Sequence, residues 1–320
     1  MSRDGSAAPA ALPLSVVICT HNRSSYLVKA LDSLVAQTLP RSSFEVIVVD
    51  NQSTDDTPTV VARYRDSLDV RYVYEGTLGL AHARNAGWRA ARGKYIAYLD
   101  DDAIASPRWL AETVTAFESL SPPPGCVGGR AEGIWESPRP RWISDELVTC
   151  LTVIDWSDTP HVIEDVRVQW LVGANLAVRA DVMTSVGGFA ASLDRAGKNL
   201  LSGGDVYLQE QIIRAGHACY YHPPMSVGHH VPASRLSQRW FVQRYYWQGV
   251  SDVAMRLGRE RLTVPKRLRA AVGRALKLVA SPKRMAALLL PTQDPRRFTQ
   301  KCWALIEVGH IAGLLGAARR

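Results

Sequence analysis

The chain has 320 residues, 47% hydrophobic and 21% charged, a globular composition with ample length for a buried core, which excludes a largely disordered or fibrous chain. Its net charge of +8 is unevenly spread: residues 251–320 carry 15 Lys and Arg against 4 Asp and Glu, and residues 1–250 carry 23 against 26. Five scattered cysteines without CxxC spacing argue against a disulfide framework or a structural zinc site.

Residues 1–13 read as a disordered tail without the basic start and apolar run of a secretory signal. No stretch of about 18 apolar residues follows, so the cytosol is the expected compartment. Leu14 to Cys19 is a β-branched run that predicts a buried strand. Tyr26, Leu27, Ala30, Leu31 and Leu34 then recur at helical spacing, and Pro40 closes that segment. Phe44 to Val49 predicts a second strand, with no polar interruption after Glu45. Ser53 to Pro58 offers caps for a helix reaching about Arg65. A strand over 70–74, a helix over 80–91 ended by Gly93, and a strand over 95–99 complete four strand–helix alternations. That alternation predicts a doubly wound, mostly parallel α/β sheet, in which ligands sit beyond the carboxyl ends of the strands. Thr20-His21-Asn22-Arg23, Asp50-Asn51 and Asp100-Asp101-Asp102 all fall at those ends.

Beyond the breaker Ser121 to Gly125 the pattern weakens, and 135–170 is rich in Trp, Pro and acids. Alternation returns over 170–178, with helices expected at 181–186 and 206–215 and a short strand at 218–221. From Pro265 the chain is amphipathic: Leu268, Val272, Ala275, Leu276 and Val279 share one face, and Lys266, Arg267, Arg269, Arg274 and Lys277 lie largely elsewhere. These shifts divide the chain into 14–120, 121–250 and a basic helical region 251–320.

Three successive carboxylates after an apolar strand repel one another unless a cation offsets them, and oxygen ligands beside a phosphate suit Mg²⁺ or Mn²⁺. A solvated acidic turn is the alternative. Asp50 can accept from a ribose or a base, or simply hold a turn. Gly76 to Gly79 with Arg84-Asn85 offers a loop and helix start suited to a pyrophosphate. Neither GxGxxG after the first strand nor GxxxxGK[ST] occurs, which removes the main support for a dinucleotide-dependent dehydrogenase or a P-loop NTPase.

Val17 to Arg23, Val48 to Thr57, Arg84 to Gly87, Gly93 to Asp102, Gly173 to Arg179, Val186 to Phe189, Gly203 to Leu208 and Pro223 to His229 together resemble the family-2 glycosyltransferases of the GT-A fold. The resemblance runs from about Leu14 to about Gly249. It implies a metal-dependent, inverting transferase that uses a nucleotide-diphosphate sugar, most often a UDP-sugar, with Mn²⁺ or Mg²⁺. By the same resemblance Thr20, Asn22, Arg23, Asn51, Gly79, Arg84 and Asp101 line the nucleotide-sugar pocket, Asp50 lies near base or ribose, and Asp100 near the ribose. Asp102 and His229 hold the metal, and Asp205 is the catalytic base. The family often has Glu-Asp where this chain has Gly204-Asp205. For Asp205 the alternative is a helix cap, and for His229-His230 an ordinary polar turn before Pro232.

Trp240, Phe241, Tyr245, Tyr246 and Trp247 suit either a core or a sugar-stacking wall. The expected acceptor is a saccharide, a lipid-linked saccharide or a small molecule. Peripheral contact with the inner face of a cell membrane through 265–320 is expected from the basic, apolar-striped tail, and no nucleic-acid partner is expected. A non-catalytic nucleotide-sugar- or carbohydrate-binding protein of the same fold and a nucleotidyltransferase are the competing readings.

Overall fold

The computed structural model describes residues 12–193 and 200–316, so the expectation for a disordered tail falls largely outside the described residues. The chain opens with β1 (Leu14–Thr20), α1 (Ser24–Val35), β2 (Phe44–Asp50), α2 (Thr57–Arg63), β3 (Val70–Tyr74), α3 (Leu80–Ala90) and β4 (Tyr95–Leu99). β5 (Ala103–Ala105), α4 (Trp109–Glu118), β6 (Cys126–Gly128), β7 (Ala131–Trp135) and β8 (His161–Val162) follow. Then come β9 (Asn175–Arg179), α5 (Ala180–Val186), α6 (Gly204–Arg214), β10 (Cys219–Tyr221) and β11 (Val227–Val231). Four helices end the described chain: α7 (Gln238–Arg259), α8 (Val264–Val279), α9 (Pro282–Leu289) and α10 (Pro295–Leu315).

Eight strands form one sheet in the order β3-β2-β1-β4-β9-β6-β10-β8. β1 runs parallel to both β2 and β4, and β2 parallel to β3, whereas β9 is antiparallel to its neighbours β4 and β6. Helices cover both faces, which explains the uninterrupted apolar runs. On β1 and β2, Val16, Ile18, Val46 and Val48 pack with Leu27 and Leu31 of α1. Val17, Ile47 and Val49 point to the opposite layer, with Ala83 of α3, Val182 and Met183 of α5 and Leu208 of α6. The expected α/β architecture is therefore present, with a helical C-terminal extension.

The weakly patterned middle contributes short strands, and β5, β11 and β7 form a second, three-stranded sheet. β11 carries His229 and His230, which lie on a strand rather than in a polar turn. α7 runs through residue 250, and α10 packs closely along it. At the crossing a Cβ on Gly249 would meet the Ile306 carbonyl oxygen at 2.0 Å, and one on Gly309 would meet the Tyr246 carbonyl oxygen at 2.0 Å. Phe298 and Cys302 of α10 share a buried cluster with Trp142, Leu147, Phe241 and Tyr245. The tail is thus partly core, and only α8 and α9 resemble a surface layer.

Candidate active site

β1, β2 and β4 end side by side, with Thr20 level with Asp50 in the β1–β2 register. The chain leaving β4 turns through Asp100, Asp101 and Asp102. Asp100 accepts from Arg84 Nη2 at 3.0 Å. Asp101 accepts from Thr20 Oγ1 at 2.8 Å and Arg23 Nη1 at 3.1 Å. Asp102 is 2.9 Å from Arg23 Nη1, 3.3 Å from His229 Nε2 and 4.0 Å from Arg235 Nη2. Burial pushes the Asp101 carboxyl up, against the pull of Arg23. Burial acts on Asp102 in the same sense, but the hydrogen bond and charge of His229, with the Arg23 guanidinium, hold it well below the usual carboxylate range.

Ligand atoms of Asp100, Asp102 and His229 all lie within 4.8 Å of one another. His229 Nδ1 is buried without a hydrogen-bond partner. Two carboxylates and an imidazole converging in this way fit a divalent cation such as Mn²⁺ or Mg²⁺. Asp100, expected at the ribose, belongs to this cluster.

Asp205 lies in the first turn of α6, whose N-cap is Gly203 at φ +94°, so Asp205 is not the cap. Its Oδ2 accepts from the Gly173 N–H at 3.0 Å and its Oδ1 from the Val206 N–H at 3.0 Å. Gln209, one turn on, clamps the Leu171 N–H and C=O with its side-chain amide. Burial works against the Arg84 cation, but the charges of Asp100 and Asp205 outweigh it and raise its pKa. Arg84 therefore links the strand-end carboxylates to Asp205. A Cβ on Gly173 would meet Arg84 Nη2 at 2.2 Å, so only glycine leaves room for that guanidinium.

All of these groups but Leu171 and Gln209 line one cleft of about 1110 Å³, together with Asn51, Gly79, Trp170, Arg235, Trp240 and Arg244. Asn51 fixes its floor: its amide donates to the carbonyls of Glu75 and Thr77, and its Oδ1 accepts from the Gly79 N–H at 2.7 Å. Two expected residues, Asn22 and Asp50, are not among those lining the cleft. Asn22, at φ +53°, accepts from the Thr54 N–H at 2.7 Å and ties two strand-end loops together. Asp50 is buried and accepts from the Ser53 N–H and Tyr72 hydroxyl, each at 2.7 Å.

The sequence reading assigned no site role to Gly173, Gln209, Arg235 or Arg244. Only Arg244 carried a local signal: it follows Trp240 by one helical turn. Of the aromatic cluster, Phe241 is core, while Trp240 and Tyr245 line the cleft.

A family model described as glycosyl transferase family 2 matches residues 15–172. A glucosyl-dolichyl phosphate glucuronosyltransferase of Haloferax volcanii is 26% identical over 250 residues, covering 77% of this chain and 78% of the relative. A validoxylamine A glucosyltransferase of Streptomyces hygroscopicus is 40% identical over 111 residues, or 34% of this chain and 26% of that relative. Among solved structures, a mannosyltransferase of Pyrobaculum calidifontis in complex with GDP-Man and Mn²⁺ matches with a TM-score of 0.64 at 21% identity, over 95% of this chain and 87% of that one. Staphylococcus aureus TarS in complex with UDP-GlcNAc matches at 0.58 and 15% identity, over 96% and 92%. With its GT-A sheet, its strand-end carboxylates and these relatives, the chain carries a glycosyltransferase family 2 domain over residues 15–172 and is a glycosyltransferase.

Proposed function

We propose that the protein moves a sugar from a nucleotide-diphosphate sugar, UDP favoured, to an acceptor hydroxyl or amine in one inverting displacement, within cell-surface glycan or secondary-metabolite biosynthesis. The observation that carries this reading is the Asp205 carboxylate, held by the Gly173 N–H and coupled through Arg84 to the Asp100, Asp102 and His229 cluster. Asp205 takes the proton from the acceptor as its oxygen or nitrogen attacks the anomeric carbon. The bond from that carbon to the diphosphate breaks on the opposite face. Asp100, Asp102 and His229 would hold a divalent cation, which would supply positive charge against the diphosphate as it leaves. Arg23 and Arg84 keep the three carboxylates in place, and Asn51 and Gly79 shape the nucleotide end.

Stabilisation by ligand tests this reading. UDP, GDP, TDP and CMP are each added with Mn²⁺, with Mg²⁺ and with EDTA, and the melting temperature is followed. A nucleotide at 100 times its Kd adds about 2.7 kcal/mol. Metal-dependent stabilisation by one nucleotide supports a transferase and narrows the donor. If no nucleotide stabilises the protein, the donor site is wrong and a non-catalytic carbohydrate-binding protein of the same fold becomes the leading reading.

We also propose peripheral membrane contact through α8. Among the described residues, no helix is long and apolar enough to cross a membrane. Yet Leu268, Val272, Leu276 and Val279 are 50–67% exposed on one stripe of α8, with Lys266, Arg269 and Lys277 on the same helix. Replacing Leu268 and Leu276 with Ser should abolish sedimentation with phosphatidylglycerol vesicles. Equal sedimentation of variant and wild type removes the claim. Truncation before α8 is unsuitable as a test, because it also removes the core residues of α10.

A further inference from the structure

One face of α7 lines the cleft over twenty residues, from Trp240 through Arg244, Gln248, Asp252 and Met255 to Arg259, a rise of about 28 Å. It carries three charged side chains. Arg259 pairs with Glu210, and Asp252 accepts from His310 Nε2 at 3.1 Å and from Gln248 at 2.8 Å. Arg244 has no hydrogen bond or ion pair among the described residues, and its Nε and Nη1 are both shut off from solvent. A guanidinium is a permanent cation whose N–H groups are costly to bury without acceptors.

Among the described residues, none forms an ion pair with Arg244. Cys150 and Tyr245 stand near Arg244, and burial keeps both protonated, the thiol pushed up to about 12. Glu146, on the 3₁₀ turn Asp145–Leu151 that also lines the cleft, is exposed and forms no ion pair with it. The cations at the strand ends are by contrast already engaged, Arg23 by Asp101 and Asp102 and Arg84 by Asp100. Two indoles, Trp240 one turn before Arg244 and the half-exposed Trp303 of α10, line the same cleft and can stack on a sugar ring.

We propose that Arg244 is the anchor of an acceptor subsite for a saccharide that bears a phosphate, with Trp240 and Trp303 as its stacking wall. This rests on the transferase reading above and names the acceptor's chemistry. The phosphate supplies acceptors for guanidinium N–H groups that have none in the protein, in charge-assisted hydrogen bonds.

Full-length wild type, Arg244→Met and Arg244→Lys are each titrated with glucose 1-phosphate, inorganic phosphate and methyl glucoside, and separately with UDP and GDP in Mn²⁺. Wild type should bind glucose 1-phosphate more tightly than methyl glucoside. Arg244→Met should weaken glucose 1-phosphate at least ~10-fold, the range expected for hydrogen bonds to a charged group. Arg244→Lys should recover part of that loss. Nucleotide affinity should be unchanged, and the ligand-free Tm of Arg244→Met should rise, because two buried nitrogens without acceptors have gone. A lower Tm with all ligands weakened makes Arg244 structural and overturns the proposal. So does parallel loss of nucleotide affinity, which assigns Arg244 to the donor diphosphate, or a wild type that prefers no phosphorylated probe. If glucose 1-phosphate binds as expected while no nucleotide does, the donor reading fails and the Arg244 subsite stands.

Discussion

At the strand ends, Asp100 pairs with Arg84, Asp101 and Asp102 both pair with Arg23, and His229 Nε2 lies 3.3 Å from Asp102. Across the cleft, the face of α7 leaves Arg244 without an anionic partner among the described residues. The first arrangement is preorganised: its charges are held before any ligand arrives, so ligand binding has little reorganisation to drive. The second waits for a group that the protein does not contain. On the proposed function the two walls divide along the same line, with donor and metal assigned to the side of β1, β2 and β4 and the acceptor to the side of α7 and α10.

Asp205 joins the two walls, and its replacement should have the largest effect. Asp205→Asn keeps the size of the side chain and its acceptor for the Gly173 N–H, but it cannot take a proton. Turnover should fall 10²–10⁴-fold, the usual contribution of a general base, while metal-dependent nucleotide affinity stays within about twofold. Steady-state rates beside nucleotide titrations make the distinction. Unchanged turnover puts the base elsewhere. Loss of nucleotide binding makes Asp205 a strut for Gly173 and Arg84, and the contrast between the walls collapses.

The same division decides what could be read from the residues alone. β1 to β4 are apolar runs bounded by turn residues, so their existence, order and polar ends were visible, and with them Thr20, Arg23 and the Asp triplet. The acceptor wall depends on contacts between residues far apart in the chain. Gly173 meets Arg84 across 89 positions and Gly309 meets Gly249 across 60, and no local pattern reports such distances. His229 was accessible only through family resemblance, because a histidine pair before a proline carries no strand signal. The amphipathic reading of the tail was right for α8 but hid the contribution of α10 to the core, since Phe298 and Cys302 are buried by α7 and the 3₁₀ turn Asp145–Leu151, not by their own helix.

The acceptor wall should be separable from the donor wall by mechanical means. Gly309→Ala places a methyl group against the Tyr246 carbonyl oxygen at 2.0 Å and the Gly249 Cα at 3.0 Å. Backbone cannot yield as a side-chain tip can, so α10 must move off α7. The overpacking cost of about 1–3 kcal/mol should exceed the gain of up to about 1 kcal/mol in helix propensity. A fall of several degrees in Tm should accompany weaker glucose 1-phosphate binding, because Trp303 rides on α10. Nucleotide affinity should hold. If Tm is unchanged, the α7–α10 crossing is looser than drawn and cannot position Trp303.

The donor wall has its own buried charge, remote from the cleft, and Glu45 on β2 tests whether pairing there stabilises the sheet. Its side chain is fully buried and accepts from Ser15 Oγ at 2.6 Å, the Arg92 N–H at 2.7 Å and Arg71 Nε at 3.0 Å. Burial alone would raise its pKa, but the hydrogen bonds from Ser15 and Arg92 and the charge of Arg71 overcome that and lower it. A carboxylate whose pKa is lower folded than unfolded stabilises the fold at pH values above the unfolded pKa of about 4.3. That stabilisation is lost as the pH falls through the folded value. Glu45→Gln should therefore cost about 1–2 kcal/mol at pH 7, a range that discounts the partly exposed Arg71 and Arg92 for solvent screening. The difference from wild type should shrink towards zero near pH 3. Denaturant midpoints at pH 7, 5 and 3 measure both numbers. A deficit that stays constant with pH assigns the loss to packing of the amide, and the donor wall then owes its order to β1 and β2 rather than to the charges between them.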